Sequence, residues 1–257
     1  GWDRNLSNIQ KKKIRKKNKI NNDFEAKYIF YDLGYNLRPT EITGYLGSLQ
    51  SKEILDWHKK YIQNYTPNHF KDNKLRVLDI GCCSGYLTNF FCQFSSDVVG
   101  VDYDEEFIKD AKSKYPGPKF LTGDIYNLEK IDGSFNLIVC FGVLQNINNL
   151  ILALKNIKSK LNTQTCSRVV FTTINHNSIF NKNLILKIIR SKETKNLVLR
   201  THSKDQFEQS SQLSGLKLTR YEYLYVLPSF LKPLKSLIKK ILPTSFSHHI
   251  LVEMQHA

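Results

Sequence analysis

The sequence predicts an α/β protein built on a doubly wound, mostly parallel sheet with helices on both faces. Three observations carry that reading. Five short apolar runs fall at 75–80, 98–101, 119–122, 136–141 and 168–173, with helical patterns between them at 86–94, 105–115 and 148–161, and such alternation marks successive βαβ units. The first run enters a glycine-bearing turn, Gly81-Cys-Cys-Ser-Gly85. The second ends in an acid, Asp102, placed 23 residues after Asp79.

The flanking segments follow the same logic. Ahead of the sheet, 46–65 reads as a helix with Ile54, Leu55, Trp57, Tyr61 and Ile62 on one apolar stripe and Pro67 closing it. Past the fifth run, Asn175-His-Asn-Ser178 opens an apolar segment, 179–189, that reads as an inserted helix. A helix over 203–213 capped by Ser203 and a long strand over 216–227 come next, with a last strand at about 249–255. Between those two strands, Phe230, Leu231, Leu234, Leu237, Ile238, Ile241 and Leu242 recur at helical spacing opposite Lys232, Lys235, Lys239 and Lys240. Such a cationic amphipathic segment packs on its own domain as a lid or lies in a membrane interface.

The turn and the two acids point to a nucleoside site. Gly81 and Gly85 let the backbone reverse tightly and come close to a ligand, while an acid at the tip of the second strand can accept both ribose hydroxyls. Dinucleotide sites space their glycines as G-x-G-x-x-G, whereas here the spacing is G-x-x-x-G with Asp79 two positions before it. A carboxylate there repels pyrophosphate and attracts an ammonium. Plainer readings exist for each residue: Gly81 and Gly85 as an ordinary turn, Asp102 as a helix cap before Glu105 and Glu106, and Asp124 as a turn residue.

In order and spacing, residues 75 to about 174 resemble the class I S-adenosylmethionine-dependent methyltransferases of small-molecule type. The family's first motif, an acid, one apolar residue and G-x-G-x-G, is similar to Asp79-Ile-Gly81-Cys82-Cys83-Ser-Gly85, with Cys83 in place of the middle glycine. The resemblance implies a Rossmann-like seven-stranded sheet with an antiparallel last strand, and S-adenosyl-L-methionine as cofactor with S-adenosyl-L-homocysteine as product. It also implies that Asp102 holds the ribose, that Tyr103 lies against adenine, and that Asp124, with Ile125, reaches the adenine amino group. Phe141 stands at the end of the fourth strand, followed by Gln145 and Asn146 where the family often has His, so these two are acceptor-orienting candidates. Asn136 stands where the family commonly has Asp. Tyr35 and Arg38, in Tyr-Asn-Leu-Arg-Pro, are similar to the segment ahead of the fold in quinone-pathway O-methyltransferases, which implies that Arg38 faces the cofactor carboxylate and Tyr35 the acceptor.

Composition bounds the function. With 257 residues, 41% of them hydrophobic, the chain can bury one substantial core, read as a basic tail and lid segment over 1–45 and a catalytic domain over 46–257 with lid insertions at about 175–200 and 228–243. No run of 18 or more apolar residues occurs, so neither a transmembrane helix nor an apolar leader is expected. Five cysteines, Cys82, Cys83, Cys92, Cys140 and Cys166, are odd in number and lack C-x-x-C spacing, which suits a reducing, cytoplasmic compartment without structural zinc. Much of the net charge of +15 sits in 11–19, where seven of nine residues are basic. That tail reads as solvated charge, with nucleic-acid or lipid contact as the alternative.

Methyl transfer needs alignment of acceptor and methyl in a dry site and, where required, removal of a proton. His176, just past the fifth strand, is the best-placed candidate base. The seven histidines show no ligand spacing, so no metal is expected. Nucleic-acid methylation is disfavoured because Phe141-Gly-Val-Leu-Gln contains no proline of an Asn/Asp-Pro-Pro-Tyr/Phe base grip, and no Pro-Cys nucleophile occurs at Cys140 or Cys166. The expected acceptor is a small or lipid-like molecule, with peripheral membrane contact open. An RNA-directed enzyme, a noncatalytic partner subunit of the same fold and a dinucleotide oxidoreductase remain the alternatives.

Overall fold

The structure is a computed structural model that describes residues 75–163, 167–178, 200–224, 241–247 and 249–257, together with positions 12, 16, 56, 58–61, 63, 237 and 240. Residues 1–48 form one compact unit and 49–257 a second. In the first, Lys12 and Lys16 are helical and exposed. The expected sites Tyr35 and Arg38, together with Cys166 and most of the 179–199 and 228–243 insertions, lie outside the described residues.

Seven strands form one sheet in the order β3-β2-β1-β4-β5-β7-β6. They are β1 (Arg76–Ile80), β2 (Asp97–Asp102), β3 (Lys119–Thr122), β4 (Leu137–Phe141), β5 (Arg168–Ile174), β6 (Leu216–Leu224) and β7 (His249–His256). The first five are parallel, and β7 runs antiparallel to both β5 and β6. This is the expected sheet, its last strand antiparallel, and each of the first five strands agrees with its apolar run to within one residue at either end.

The helices are α1 (Tyr86–Phe91), α2 (Glu105–Lys114), α3 (Leu150–Lys160) and α4 (Lys204–Ser214). Alternation along the strands feeds two separate cores. Leu78, Ile138, Phe171 and Val252 pack with Ala153, Leu154, Ile157 and Phe207 of α3 and α4. Their neighbours Val77, Leu137, Val170 and Leu251 face the other way, toward Phe91 of α1 and Tyr61. A period of two on a parallel sheet leaves no polar face. Tyr61 also donates its hydroxyl to Glu253 Oε1 at 2.6 Å, and the Arg220 guanidinium donates to the same oxygen at 3.0 Å. The buried carboxylate of β7 is thereby paired from two sides, as a buried charge requires.

Local chemistry sets the helix ends. Asp104, rather than Asp102, caps α2 by accepting from the Glu106 N–H at 2.8 Å, so the helix-cap reading of Asp102 is replaced and its carboxylate is left for the turn. Ser203 caps α4 in a full capping box with Gln206. Helix α1 stops at Phe91, earlier than its apolar pattern suggests, because Gln93 and Phe94 bond three residues back. Ser95 then reaches back to the Leu75 carbonyl and accepts from the Asp97 N–H, turning the chain into β2.

The β1–α1 turn is the tightest point. Gly81 has φ 78° and a Cβ built there would meet Val143 Cγ2 at 2.1 Å. Gly81→Ala is therefore expected to lower stability by about 2–4 kcal/mol, combining left-handed strain with overpacking. In urea denaturation, the double variant Gly81→Ala/Val143→Ala should recover the steric part and leave the strain. Full recovery would show that backbone strain contributes nothing.

Candidate functional site

The carboxyl ends of β1, β2, β3 and β4 surround a cavity of about 400 Å³, within the range of small-molecule sites and at the edge where doubly wound sheets bind ligands. Of the expected residues, Gly81, Cys83, Asp102, Tyr103, Asp124, Ile125, Phe141 and Asn146 line it. The fold brings together residues from four separate loops.

The floor is the turn. Gly81 and Cys82 both donate their N–H to the Val101 carbonyl, at 2.7 and 3.1 Å, and Cys83 N–H donates to Asp102 Oδ2 at 2.9 Å. Asp104 N–H donates to the other oxygen, Oδ1, at 3.0 Å. Each carboxylate oxygen keeps a further lone pair, so Asp102 can hold the turn and still accept from a diol. Cys83 adopts φ 47° and is the one described non-glycine residue with positive φ. It occupies the left-handed conformation that a glycine would take without strain. The residue is solvent-exposed. Desolvation, then the charges of Asp102 and Asp79, push its thiol up to about 12, so it meets a ligand as a neutral thiol. Cys82 is buried beside it, and both are free thiols.

Several expected residues stand off the cavity. Asp79 is buried behind the turn and accepts from the Thr88 hydroxyl at 2.6 Å. Burial raises its pKa to about 6, against the lowering effect of the Thr88 bond. Gly85 has φ 78° and lies against Phe120 and Ala111. Gln145 accepts on its carbonyl from Arg200 N–H at 2.9 Å, one residue before the cavity-lining Asn146. His176 is exposed, its Nδ1 lying 2.9 Å from Thr201 Oγ1.

Other residues complete the walls. Phe107, Tyr126, Val143 and Ile147 line the cavity. The Tyr126 hydroxyl accepts from the Asn148 and Asn149 N–H groups at 2.6 and 2.9 Å, tying the loop after β3 to the start of α3. Asp124 braces that loop from within by accepting from Tyr126 N–H at 2.9 Å. Phe141 is backed by His58, their rings parallel at 3.9 Å, and His58 Nε2 is 2.9 Å from Thr172 Oγ1. Burial, with the nearby His249, depresses the His58 pKa to about 3, so a neutral imidazole stacks on the wall. The sequence signals were weak: Phe107 sits beside the core residue Ile108 in a helix of ordinary pattern, and His58 lies 114 residues from its partner.

Residues 78–164 match the family model of the methyltransferase domain. Over those residues the chain is similar to the class I S-adenosylmethionine-dependent methyltransferases. A protein of Invertebrate iridescent virus 6 bearing a methyltransferase name is 41% identical over 75 residues, which are 28% of each chain. A malonyl-[acyl-carrier protein] O-methyltransferase of Erwinia pyrifoliae is 27% identical over 64% of this chain and 61% of its own. The chain thus spans 28% of the length of the first of these relatives and 61% of the second. The fold is shared with the magnesium protoporphyrin IX methyltransferase of Synechocystis, solved with bound S-adenosylhomocysteine, at TM-score 0.56 and 14% identity over 91% of this chain and 93% of that one.

S-adenosylmethionine is the cofactor of this family, and the cleft fits its nucleoside. Gly81, against which Val143 packs where a side chain would stand, lines the cavity, and Asp102 retains acceptor capacity for a diol. Among the described residues no group of three or more metal-ligating side chains occurs.

Two consequences are measurable. Cys83→Gly removes left-handed strain of about 1–2 kcal/mol but adds about 0.5–1 kcal/mol of chain entropy to the unfolded state, so stability should change little while cofactor affinity holds or improves. Cys83→Leu should block the cleft, and equal calorimetric affinities for the two variants would place this side chain elsewhere. Asp79 supplies a pH signature. With a folded-state value of about 6 against the ordinary 3.8, the folded protein holds this proton more tightly, and rising pH between roughly 4 and 6 erodes stability. Asp79→Asn, which keeps an acceptor for Thr88, should gain on the wild type across that window, reaching roughly 2–3 kcal/mol at pH 7. The opposing His58 contribution, lost as pH falls from 6.5 toward 3, is common to both proteins and cancels in the difference. A pH-independent difference between their urea unfolding curves would contradict the assignment.

Proposed function

We propose that this methyltransferase acts on a small-molecule or lipid-like acceptor, transferring a methyl group to oxygen or nitrogen by in-line displacement. The observation that carries it is the cleft itself, whose floor presents Asp102 and Cys83 while its outer wall is apolar and aromatic, with Phe107, Tyr126, Phe141 and Val143. When bound, the cofactor supplies an electrophilic methyl on sulfur. Asp102 accepts the ribose hydroxyls, Tyr103 and Ile125 bracket the adenine, and Asp124 faces its amino group. Asp79 backs the turn toward the cofactor's ammonium. The Phe141 wall, held by His58, excludes water from the reacting centre.

The acceptor side is assigned to Gln145 and Asn146, with His176 on the same rim. Thr173 Oγ1 donates a long hydrogen bond, 3.5 Å, to Gln145 Oε1, which orients that amide. The relatives' names support the acceptor class: one is named for a malonyl-carrier ester and one for a porphyrin. Leu237 and Ile241, four positions apart and both helical, are 51% and 67% exposed, which supports apolar contact by the segment before β7. No helix of the described residues is long and apolar enough to cross a membrane.

Asp102→Ala should weaken S-adenosylhomocysteine binding by about 1.5–3 kcal/mol, the scale of hydrogen bonds to a charged group, while far-ultraviolet circular dichroism stays unchanged. Calorimetry showing no binding to the wild type would remove the cofactor site. For the acceptor, methyl-labelled cofactor should mark small-molecule or lipid extracts, and label in nucleosides of added RNA would establish the competing reading.

A further inference from the structure

Beyond the cofactor cleft, three basic side chains are gathered at the carboxyl end of β5. The segment 200–202 is pinned there from both sides. Arg200 N–H donates to the Gln145 carbonyl at 2.9 Å, His202 forms a parallel bridge with Asn175, and the Thr201 hydroxyl lies 2.9 Å from Nδ1 of His176. Gln145 is the neighbour of Asn146, which lines the cofactor cavity, so the basic group borders the side from which an acceptor approaches. His202 is held against Phe207 with ring centroids 5.6 Å apart.

The charge there is one-sided. Burial, then the proximity of His176 and Arg200, lowers the His202 pKa, and no acid contributes among the causes. The acids of the adjacent α4 are engaged elsewhere: Glu208 pairs with Lys204 at 3.2 Å, and the charge of Asp205 is felt by Tyr221. Among the described residues, Nδ1 of His202 is enclosed without a hydrogen-bond partner, an arrangement that folded proteins seldom keep without a use. A guanidinium with two imidazoles suits an anionic oxygen group, which accepts several charge-assisted bonds at once.

We propose that Arg200, His176 and His202 form an anion subsite beside the cofactor cleft, binding a carboxylate or phosphate oxygen group of the methyl acceptor. This rests on the methyl-transfer reading and narrows its substrate class to small molecules carrying an anion. It also gives His176 a binding role. If the bound carboxylate is itself the nucleophile, its oxygen lone pair forms the new C–O bond as the methyl–sulfur bond breaks. The electron pair of that bond leaves on the neutral thioether. No proton has to be removed.

The test follows the imidazole signals of His176 and His202 by NMR in the full chain, with and without S-adenosylhomocysteine. Malonate and inorganic phosphate are the probes, and malonamide is the neutral control. The expected result is a saturable shift with malonate or phosphate and none with malonamide, the tighter probe telling carboxylate from phosphate. Arg200→Gln should weaken that binding by about tenfold or more, Arg200→Lys should restore part of it, and S-adenosylhomocysteine affinity should be the same in all three proteins. Unmoved signals, a shift that never saturates, or equal binding by the wild type and Arg200→Gln would overturn the subsite. Loss of S-adenosylhomocysteine binding in the wild type would instead strike at the cofactor reading, and the probe titrations without it would still decide the subsite.

Discussion

The clasp between the β1–α1 turn and the end of β2 is the constraint on which the site depends. The Val101 carbonyl takes two N–H groups and Asp102 a third, so the turn cannot move without the strand. These bonds satisfy backbone donors of the turn that would otherwise lack partners. They also fix the cleft floor before any ligand arrives, and a preformed site loses less ordering entropy on binding. The clasp uses only part of the acceptor capacity of Asp102. One carboxylate can therefore serve the fold and a ribose together.

The same constraint explains why Asp79 is retained in an unfavourable place. Its carboxyl is buried against Thr88 and its pKa is raised by that burial, which works against folding at neutral pH. A cation arriving at the turn would reverse part of that penalty by favouring the charged form. The apo protein thus holds a site that is more stable filled than empty. Strain at Cys83 points the same way, since a left-handed non-glycine residue persists where surrounding bonds over-determine it.

Much of this was legible in the sequence because it is local. The strands follow from apolar runs, the turn from the spacing of Gly81 and Gly85, and the capping of α4 from Ser203 and Gln206 three residues apart. Asp102 and Phe141 end strands and Asp124 lies two residues past one, which made them candidates because strand ends of a parallel sheet converge on one edge. What escaped depends on distance along the chain. Tyr126 acts through bonds to residues 22 and 23 positions away, and His58 reaches Thr172 across 114. Neither carries a local signature, since a tyrosine in a loop and a histidine on a helix are common. Cys83 takes a left-handed backbone conformation that its residue type does not announce.

Net charge shows the same limit from another side. The value of +15 drew attention to 11–19, yet total charge describes long-range attraction rather than the place of a site. Arg200, His176 and His202 add only one formal charge at neutral pH when both imidazoles are neutral, and they vanish in a whole-chain count. They gain meaning only after β5 and the turn past β4 bring them to one rim. This separation suits a fold whose cofactor floor is built from one contiguous motif and whose acceptor rim is gathered from distant segments. Substitutions on the rim can change the acceptor without disturbing the clasp below. One protein that shares the fold at 14% identity is named for a porphyrin and one relative at 27% identity for malonyl-[acyl-carrier protein], the kind of variety that such a division of labour allows.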